Sequence, residues 1–134
     1  MNMEKYFENK RGRGVLATAS SSGAVDVAVY SRPHFLEDGT LAFIMRERLT
    51  HQHLQENGHA AYMFMEEGQG YEGVRLFLTK VNEDSDPELI EKMTRRNLTP
   101  QEDKERGTKH IVYFKVEKIL SLIGGEELDP NELI

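Results

Sequence analysis

Six short segments of the chain carry the hydrophobic patterns of β-strands. In residues 24–32, Val25, Val27 and Val29 share one face and Tyr30 lies on the other, as the period of two of a pleated backbone requires. Serine-glycine and aspartate-glycine turns separate several segments, and the first two are expected to form a hairpin. The six predicted strands are residues 14–20, 24–32, 41–46, 59–65, 74–81 and 110–117.

Short helical patterns lie before and between these strands. Thr50 is the expected N-cap of the helix that follows the third strand, and Asn57-Gly58 is its stop signal. Ser85 or Asp86 is expected to cap a later helix, with proline in its first turn. The predicted helices cover residues 5–10, the residues after Thr50 as far as Asn57, the residues after Ser85 or Asp86 through Met93, and residues 99–107.

The order of the elements predicts one mainly β domain of the α+β class over residues 1–134. Consecutive parallel strands would need long crossover helices between them, and the pattern contains only short ones. We therefore expect an antiparallel, six-stranded β-barrel with small flanking helices, because closure of a barrel removes exposed sheet edges.

Composition narrows the class of partner. The net charge of −6 and the pI of about 5.4 argue against general attraction to nucleic acid or to an anionic membrane surface. The absence of cysteine excludes disulfides, Cys-ligated zinc and thiol catalysis, and suits a reducing cytoplasm. No apolar run approaches the ~18 residues of a membrane-spanning helix, and the charged residues 1–14 are not expected to be a secretory signal. The expected location is the cytoplasm.

Residues 46–50 join the third strand to its helix and combine groups that recognise phosphate. Arg46 and Arg48 supply positive charge, and Thr50 supplies a hydroxyl. A helix N-terminus adds unpaired N–H groups and a partial positive charge. The alternative is a capped surface helix with two solvated arginines.

Three stretches of the chain together resemble a known family. They are GVLATAS (residues 14–20), VDVAVYSRP (25–33) and EDGTLAFIMRERLTHQHLQENGHAAYMF (37–64). They resemble the FMN-binding split barrels, the superfamily of pyridoxamine 5′-phosphate oxidase and of small bacterial FMN-binding proteins. The resemblance covers residues 14–122. It implies a six-stranded split β-barrel that forms a homodimer and binds two FMN molecules at the subunit interface.

The resemblance also implies where the cofactor lies. The flavin ring would lie along the ends of the second and third strands, and the phosphate where the third strand enters its helix. Leu49 stands where the family commonly has lysine, so Arg48 or Arg46 would have to supply the charge. The implied cofactor-binding residues are Tyr30, Ser31, Arg32, Met45, Arg46, Arg48, Leu49, Thr50 and His53.

Two further features bear on the site and on the dimer. Residues 66–73 contain three glycines and predict a bulged turn or a mobile loop, or one that the partner subunit holds. His51, His53 and His59 do not predict a metal site, because residues two apart on a helix point to different faces and no carboxylate–histidine spacing accompanies them.

No catalytic residue can be assigned from spacing. A bound flavin would itself carry electrons, so the expected function is that of an FMN-dependent oxidoreductase with an unassigned substrate. Three alternatives stay open. They are a non-catalytic flavin-binding or electron-transfer module, a haem- or deazaflavin-binding member of the same barrel class, and an interaction protein whose pocket is empty.

Overall fold

The computed structural model describes residues 2–94 and 107–130 of the chain. Within these residues three short helices accompany seven strands. In chain order the elements are α1 (Met3–Asn9), β1 (Gly12–Ala19), β2 (Val25–Val29), β3 (His34–Phe35), β4 (Leu41–Arg46), α2 (Leu49–Glu56), β5 (His59–Glu66), β6 (Gly73–Asp84), α3 (Pro87–Met93) and β7 (Lys109–Ser121). The predicted helix over residues 99–107 lies outside the described residues except for Gly107.

The six predicted strands are all present, and β3 is an additional one. Its two residues follow Pro33 and pair with Ala42 and Leu41 across a tight turn in which Gly39 has a positive φ. Two residues are too few for a period-two pattern to be recognised. The count of six strands was therefore one too low.

All strands belong to one antiparallel sheet with the order β2-β1-β5-β6-β7-β4-β3. No ladder joins β2 to β4 within the described residues. There Tyr30, which follows β2, packs edge-on against Phe43 of β4 with ring centroids 5.8 Å apart. The sheet thus curls back on itself and closes through side chains, which leaves a split between β2 and β4. The predicted mainly β, antiparallel split-barrel class is confirmed.

The inward-facing side chains of the curled sheet form the main core. Helix α1 closes one end of it through Tyr6 and Phe7, both buried. Helix α3 covers the outer face of β4 and β7, where Ile90 packs against Ala42 and Ile111. The largest side chains of the main core are Tyr62, Phe64, Phe114, Leu16, Leu41, Met45, Leu76 and Leu78.

Two of the predicted local features can be compared with the structure directly. Asp86 caps α3 as expected, since its Oδ1 accepts a hydrogen bond from the Glu88 N–H at 3.0 Å. The glycine-rich loop is shorter than predicted. β5 continues to Glu66, β6 begins at Gly73, and the Glu66 N–H donates to the Glu72 carbonyl at 2.8 Å.

Within the described residues no helix is both long and apolar enough to cross a membrane.

Candidate functional site

A cavity of about 450 Å³ opens in the split between β2 and β4, beside the N-terminus of α2. Its walls come from Asp26 and residues 28–32 on the β2 side, from residues 43–46 of β4, and from residues 48–50 at the start of α2. The remaining lining residues are His34, Met93, Thr94 and Lys109. The volume lies within the range of about 300–1,000 Å³ that is usual for small-molecule sites.

The charged side chains that line the cavity are mainly positive, although the chain as a whole is negatively charged. Arg32, Arg46, Arg48 and Lys109 line it, whereas Asp26 is the only carboxylate among its described lining residues. The whole chain carries a net charge of −6. Because clustered cations in a concave site raise the local concentration of anions, the cavity favours a negatively charged ligand.

The start of α2 leaves a helix N-terminus facing this cavity. Arg48 is the N-cap, with extended backbone angles, and its side chain makes no capping hydrogen bond. A guanidinium can only donate hydrogen bonds, so it cannot satisfy the first N–H groups of the helix. This arrangement is suited to an anion, which those N–H groups and the helix dipole attract.

Thr50 is therefore not the N-cap that the sequence predicted. It lies in the first turn of α2 and is buried, and its hydroxyl is directed at Asp26, with Oγ1 and Oδ2 3.5 Å apart. The helix starts earlier than predicted because Arg48 already adopts the extended cap conformation. Thr50 thus contributes its hydroxyl to the cavity wall and does not cap the helix.

Tyr30 is fixed at the mouth of the split from both sides. Its ring contacts Phe43, and its carbonyl oxygen accepts a hydrogen bond from the Tyr62 hydroxyl at 3.1 Å. Burial raises the pKa of Tyr30, and the Asp26 charge raises it further, against the opposing effects of Thr50 and Arg48. The phenol consequently remains a hydrogen-bond donor at neutral pH.

Gly14 makes this arrangement possible. A Cβ at this position would overlap the Tyr62 hydroxyl and lie 2.6 Å from the Tyr30 carbonyl oxygen. Only glycine allows β1 to pass so close to the residue that follows β2.

Two of the cavity arginines are oriented by backbone carbonyls. Arg32 Nη1 donates to the Phe7 carbonyl at 2.8 Å, near the C-terminal end of α1. Arg46 Nη1 donates to the Gly107 carbonyl, also at 2.8 Å. These contacts hold both guanidinium groups at the cavity wall, so their charge is preorganised for a ligand.

The fold of the chain is shared with proteins of known structure. No protein-family sequence model matches the chain, and no curated protein matches it in sequence. The structure is similar to that of an FMN-binding protein from Syntrophomonas wolfei subsp. wolfei, with a TM-score of 0.73 and 20% identity, over 93% of this chain and 86% of that one. It is also similar to an F420 reductase, with a TM-score of 0.67 and 15% identity, over 89% and 97% of the two chains. A proposed pyridoxamine 5′-phosphate oxidase from Lactobacillus delbrueckii gives a TM-score of 0.62 and 15% identity, over 87% and 88%.

The chain has the pyridoxamine 5′-phosphate oxidase-like split-barrel fold. At identities of 20% or less these similarities show the shared fold alone.

The structure brings together eight of the nine residues that the resemblance implied. Tyr30, Ser31, Arg32, Met45, Arg46, Arg48, Leu49 and Thr50 all line the cavity of the split barrel. His53 is not among the lining residues. It is buried between α2 and β1, where its Nδ1 lies 3.1 Å from Thr18 Oγ1.

Asp26 and Lys109 are cavity residues that the sequence reasoning did not identify. Asp26 shares a face of β2 with Tyr30, so the period-two pattern could have indicated it. Lys109 reaches the site because β7 pairs with β4 and sets Lys109 opposite Arg46. No local pattern in the sequence predicts the pairing of β7 with β4.

Proposed function

We propose that this split barrel is a flavoprotein that binds FMN in the cavity between β2 and β4. The main support is the charge of the cavity: four cationic side chains line it in a chain of net charge −6, beside a helix N-terminus without a side-chain cap. Riboflavin has no group that would use this charge, whereas the phosphate of FMN does.

We assign the phosphate to Arg46, Arg48 and Thr50 and the flavin ring to the wall made by Tyr30, Ser31 and Met45. The first three residues surround the start of α2, where backbone N–H groups add to their donors. The second three offer aromatic, hydroxyl and thioether groups, which suit a flat and partly polar ring. Leu49 borders the phosphate end without contributing charge.

The reaction we propose is an oxidoreduction with an unassigned substrate. A bound flavin accepts and donates electrons, so the chain has to bind the ring, orient it and limit its access to water. A non-catalytic flavin-binding or electron-transfer module would use the same residues. We also propose a cytoplasmic location, in keeping with a chain that has no cysteine.

We further propose that the protein is a homodimer whose partner covers β2. Val25, Val27 and Val29 on this edge strand are 81%, 69% and 83% exposed. Val29 and the half-exposed Leu49 also border the cavity. A second copy on this face would bury the valines and complete the cavity, within an interface of more than ~1,000 Å².

A deazaflavin or haem is the alternative cofactor class. One similar structure is an F420 reductase, and His34 lines the cavity, where an imidazole could ligate a haem iron.

The visible absorbance spectrum of the purified protein, before and after addition of FMN, a deazaflavin or haem, tests the proposal. We expect the flavin bands, and a fluorescent flavin released on denaturation. A haem Soret band that is lost in His34→Ala would favour haem. A protein that acquires none of the three chromophores would support the interaction protein with an empty pocket.

A further inference from the structure

A cluster of two histidines and a glutamate lies where side chains of α2 contact those of β6 and β7, outside the cavity. His51 comes from α2, Glu83 from β6 and His110 from β7. Their ligating atoms all lie within 4.8 Å of one another. His51, His53 and His59 lie close together along the chain, whereas this cluster joins three elements that only the fold brings together.

The distances between these atoms resemble those between metal ligands. Glu83 Oε2 lies 2.9 Å from His51 Nε2 and 3.5 Å from His110 Nδ1. Ligands at bond lengths of about 2.0–2.1 Å in a tetrahedral zinc site are about 3.3 Å apart. All three side chains are largely buried, with exposed fractions of 12%, 22% and 10% for His51, Glu83 and His110.

The groups behind the cluster are those that usually orient metal ligands. His110 Nε2 lies 3.0 Å from Glu47 Oε1, and His110 Nδ1 on the other side of the ring lies near Ser85 Oγ and Glu83 Oε2. The second carboxylate oxygen, Glu83 Oε1, accepts hydrogen bonds from Lys80 Nζ at 2.9 Å and from Gln55 Nε2 at 2.8 Å. A carboxylate behind a ligating histidine and donors behind a ligating carboxylate form the second layer of many metal centres.

Coordination of one ion requires a small rearrangement. The His51 and His110 rings are stacked, with centroids 4.1 Å apart and planes 8° from parallel. Because a ring nitrogen binds a metal in the plane of the ring, one imidazole must tilt out of the stack. His110 Nδ1 must also give up its contact with Ser85 Oγ, at 2.7 Å, and His51 Nε2 its contact with Gln55 Nε2, at 3.2 Å.

The geometry points to a site for one divalent transition-metal ion of the Zn²⁺ type, held by His51, Glu83 and His110. Two imidazoles and a carboxylate are a donor set that such ions prefer, and three protein ligands leave further positions for water. The ion would tie α2 to β6 and β7. His51 follows Thr50, and His110 follows Lys109, so this tie would also stiffen the cavity wall.

Binding of Co²⁺, a spectroscopic substitute for zinc, tests this site in the full chain without reference to flavin. We expect a cobalt absorption band that saturates at one ion per chain and that Zn²⁺ removes. His51→Ala and Glu83→Gln should each weaken binding at least tenfold, and Glu47→Gln by about tenfold. His59→Ala is the matched control, since this exposed histidine lies outside the cluster.

Two results would overturn the proposal. One is the absence of a saturable cobalt band in folded wild-type protein, which would leave the cluster as two stacked imidazoles that are hydrogen-bonded to the neighbouring side chains. The other is equal weakening by His59→Ala and His51→Ala, which would indicate adventitious surface binding. Circular dichroism of each variant confirms that it is folded. His51→Ala carries the test because His51 lies on a helix, whereas His110 lies in a buried strand.

Discussion

The Thr50 hydroxyl lies 3.5 Å from a carboxylate oxygen of Asp26, at the point where α2 opens onto the cavity. A negative charge thus already stands beside the helix N-terminus that we assign to the phosphate of FMN. The Asp26 carboxylate and a phosphate would repel each other there, so Asp26 should limit the affinity for FMN.

Asp26→Asn is therefore expected to tighten FMN binding by about tenfold and to leave riboflavin binding unchanged. Two like charges about 5 Å apart in a partly solvated site repel by roughly 1–3 kcal/mol, and 1.4 kcal/mol corresponds to tenfold in affinity. Titration calorimetry with both ligands measures the change. If both ligands bind more weakly to the variant, Asp26 instead accepts hydrogen bonds from the ribityl hydroxyls that the two ligands share.

The same carboxylate should be detectable in the titration of Tyr30. Burial and then the Asp26 charge raise the pKa of Tyr30. A neighbouring negative charge disfavours the phenolate, so Asp26→Asn should lower the pKa of Tyr30 while burial keeps it above the ordinary value. Ultraviolet phenolate absorbance against pH measures this, and Tyr30→Phe identifies the transition. An unchanged midpoint in Asp26→Asn would show that the two groups do not interact in solution.

The valine face of β2 predicts a variant that dissociates the dimer. Val27 is 69% exposed and lies on the face opposite Asp26 and Ala28, so Val27→Lys should change the stability of the subunit by less than about 0.5 kcal/mol. It would place two charges in the proposed interface, and light scattering should then show a monomer. Val81→Lys, at a valine of β6 that is also exposed, is the matched control and should remain dimeric. A monomeric wild-type protein with flavin bound would contradict the dimer.

The close approach of β1 to Tyr30 and Tyr62 at Gly14 predicts that a larger residue at this position lowers the stability of the protein. Gly14→Ala should destabilise the protein by about 1–3 kcal/mol, as overpacking of a tight contact does, because the added methyl group overlaps the Tyr62 hydroxyl. Gly125→Ala is the control, since a Cβ there meets no atom within 4 Å. Chemical denaturation of both variants measures the difference. Equal stability of the two would mean that the approach of β1 to Tyr30 is looser than described.

The period-two pattern was enough to predict the main strands, because half-buried strands expose their alternation directly in the sequence. Features that depend on distant pairing were not predictable. Lys109 reaches the cavity only through the register of β7 on β4, and Glu83 and His110 meet His51 only when the sheet curls.

The start of α2 shows a different limit of prediction from the sequence. Thr50 has the chemistry of an N-cap, yet the backbone becomes helical at Leu49, and the hydroxyl is used in the cavity instead. His53, in the same helix, lies against Thr18 of β1 and does not line the cavity.

The affinities of the wild-type protein for FMN and for riboflavin, measured side by side, test the proposed phosphate site. Each charge-assisted hydrogen bond to the phosphate contributes about 1.5–3 kcal/mol, so FMN should bind at least about tenfold more tightly, and added salt should narrow the gap. Arg48→Ala should remove much of the preference, whereas Arg13→Ala, which removes an exposed charge outside the cavity, should preserve it. Equal affinity of the wild type for the two ligands would contradict the phosphate site and with it the assignment of FMN.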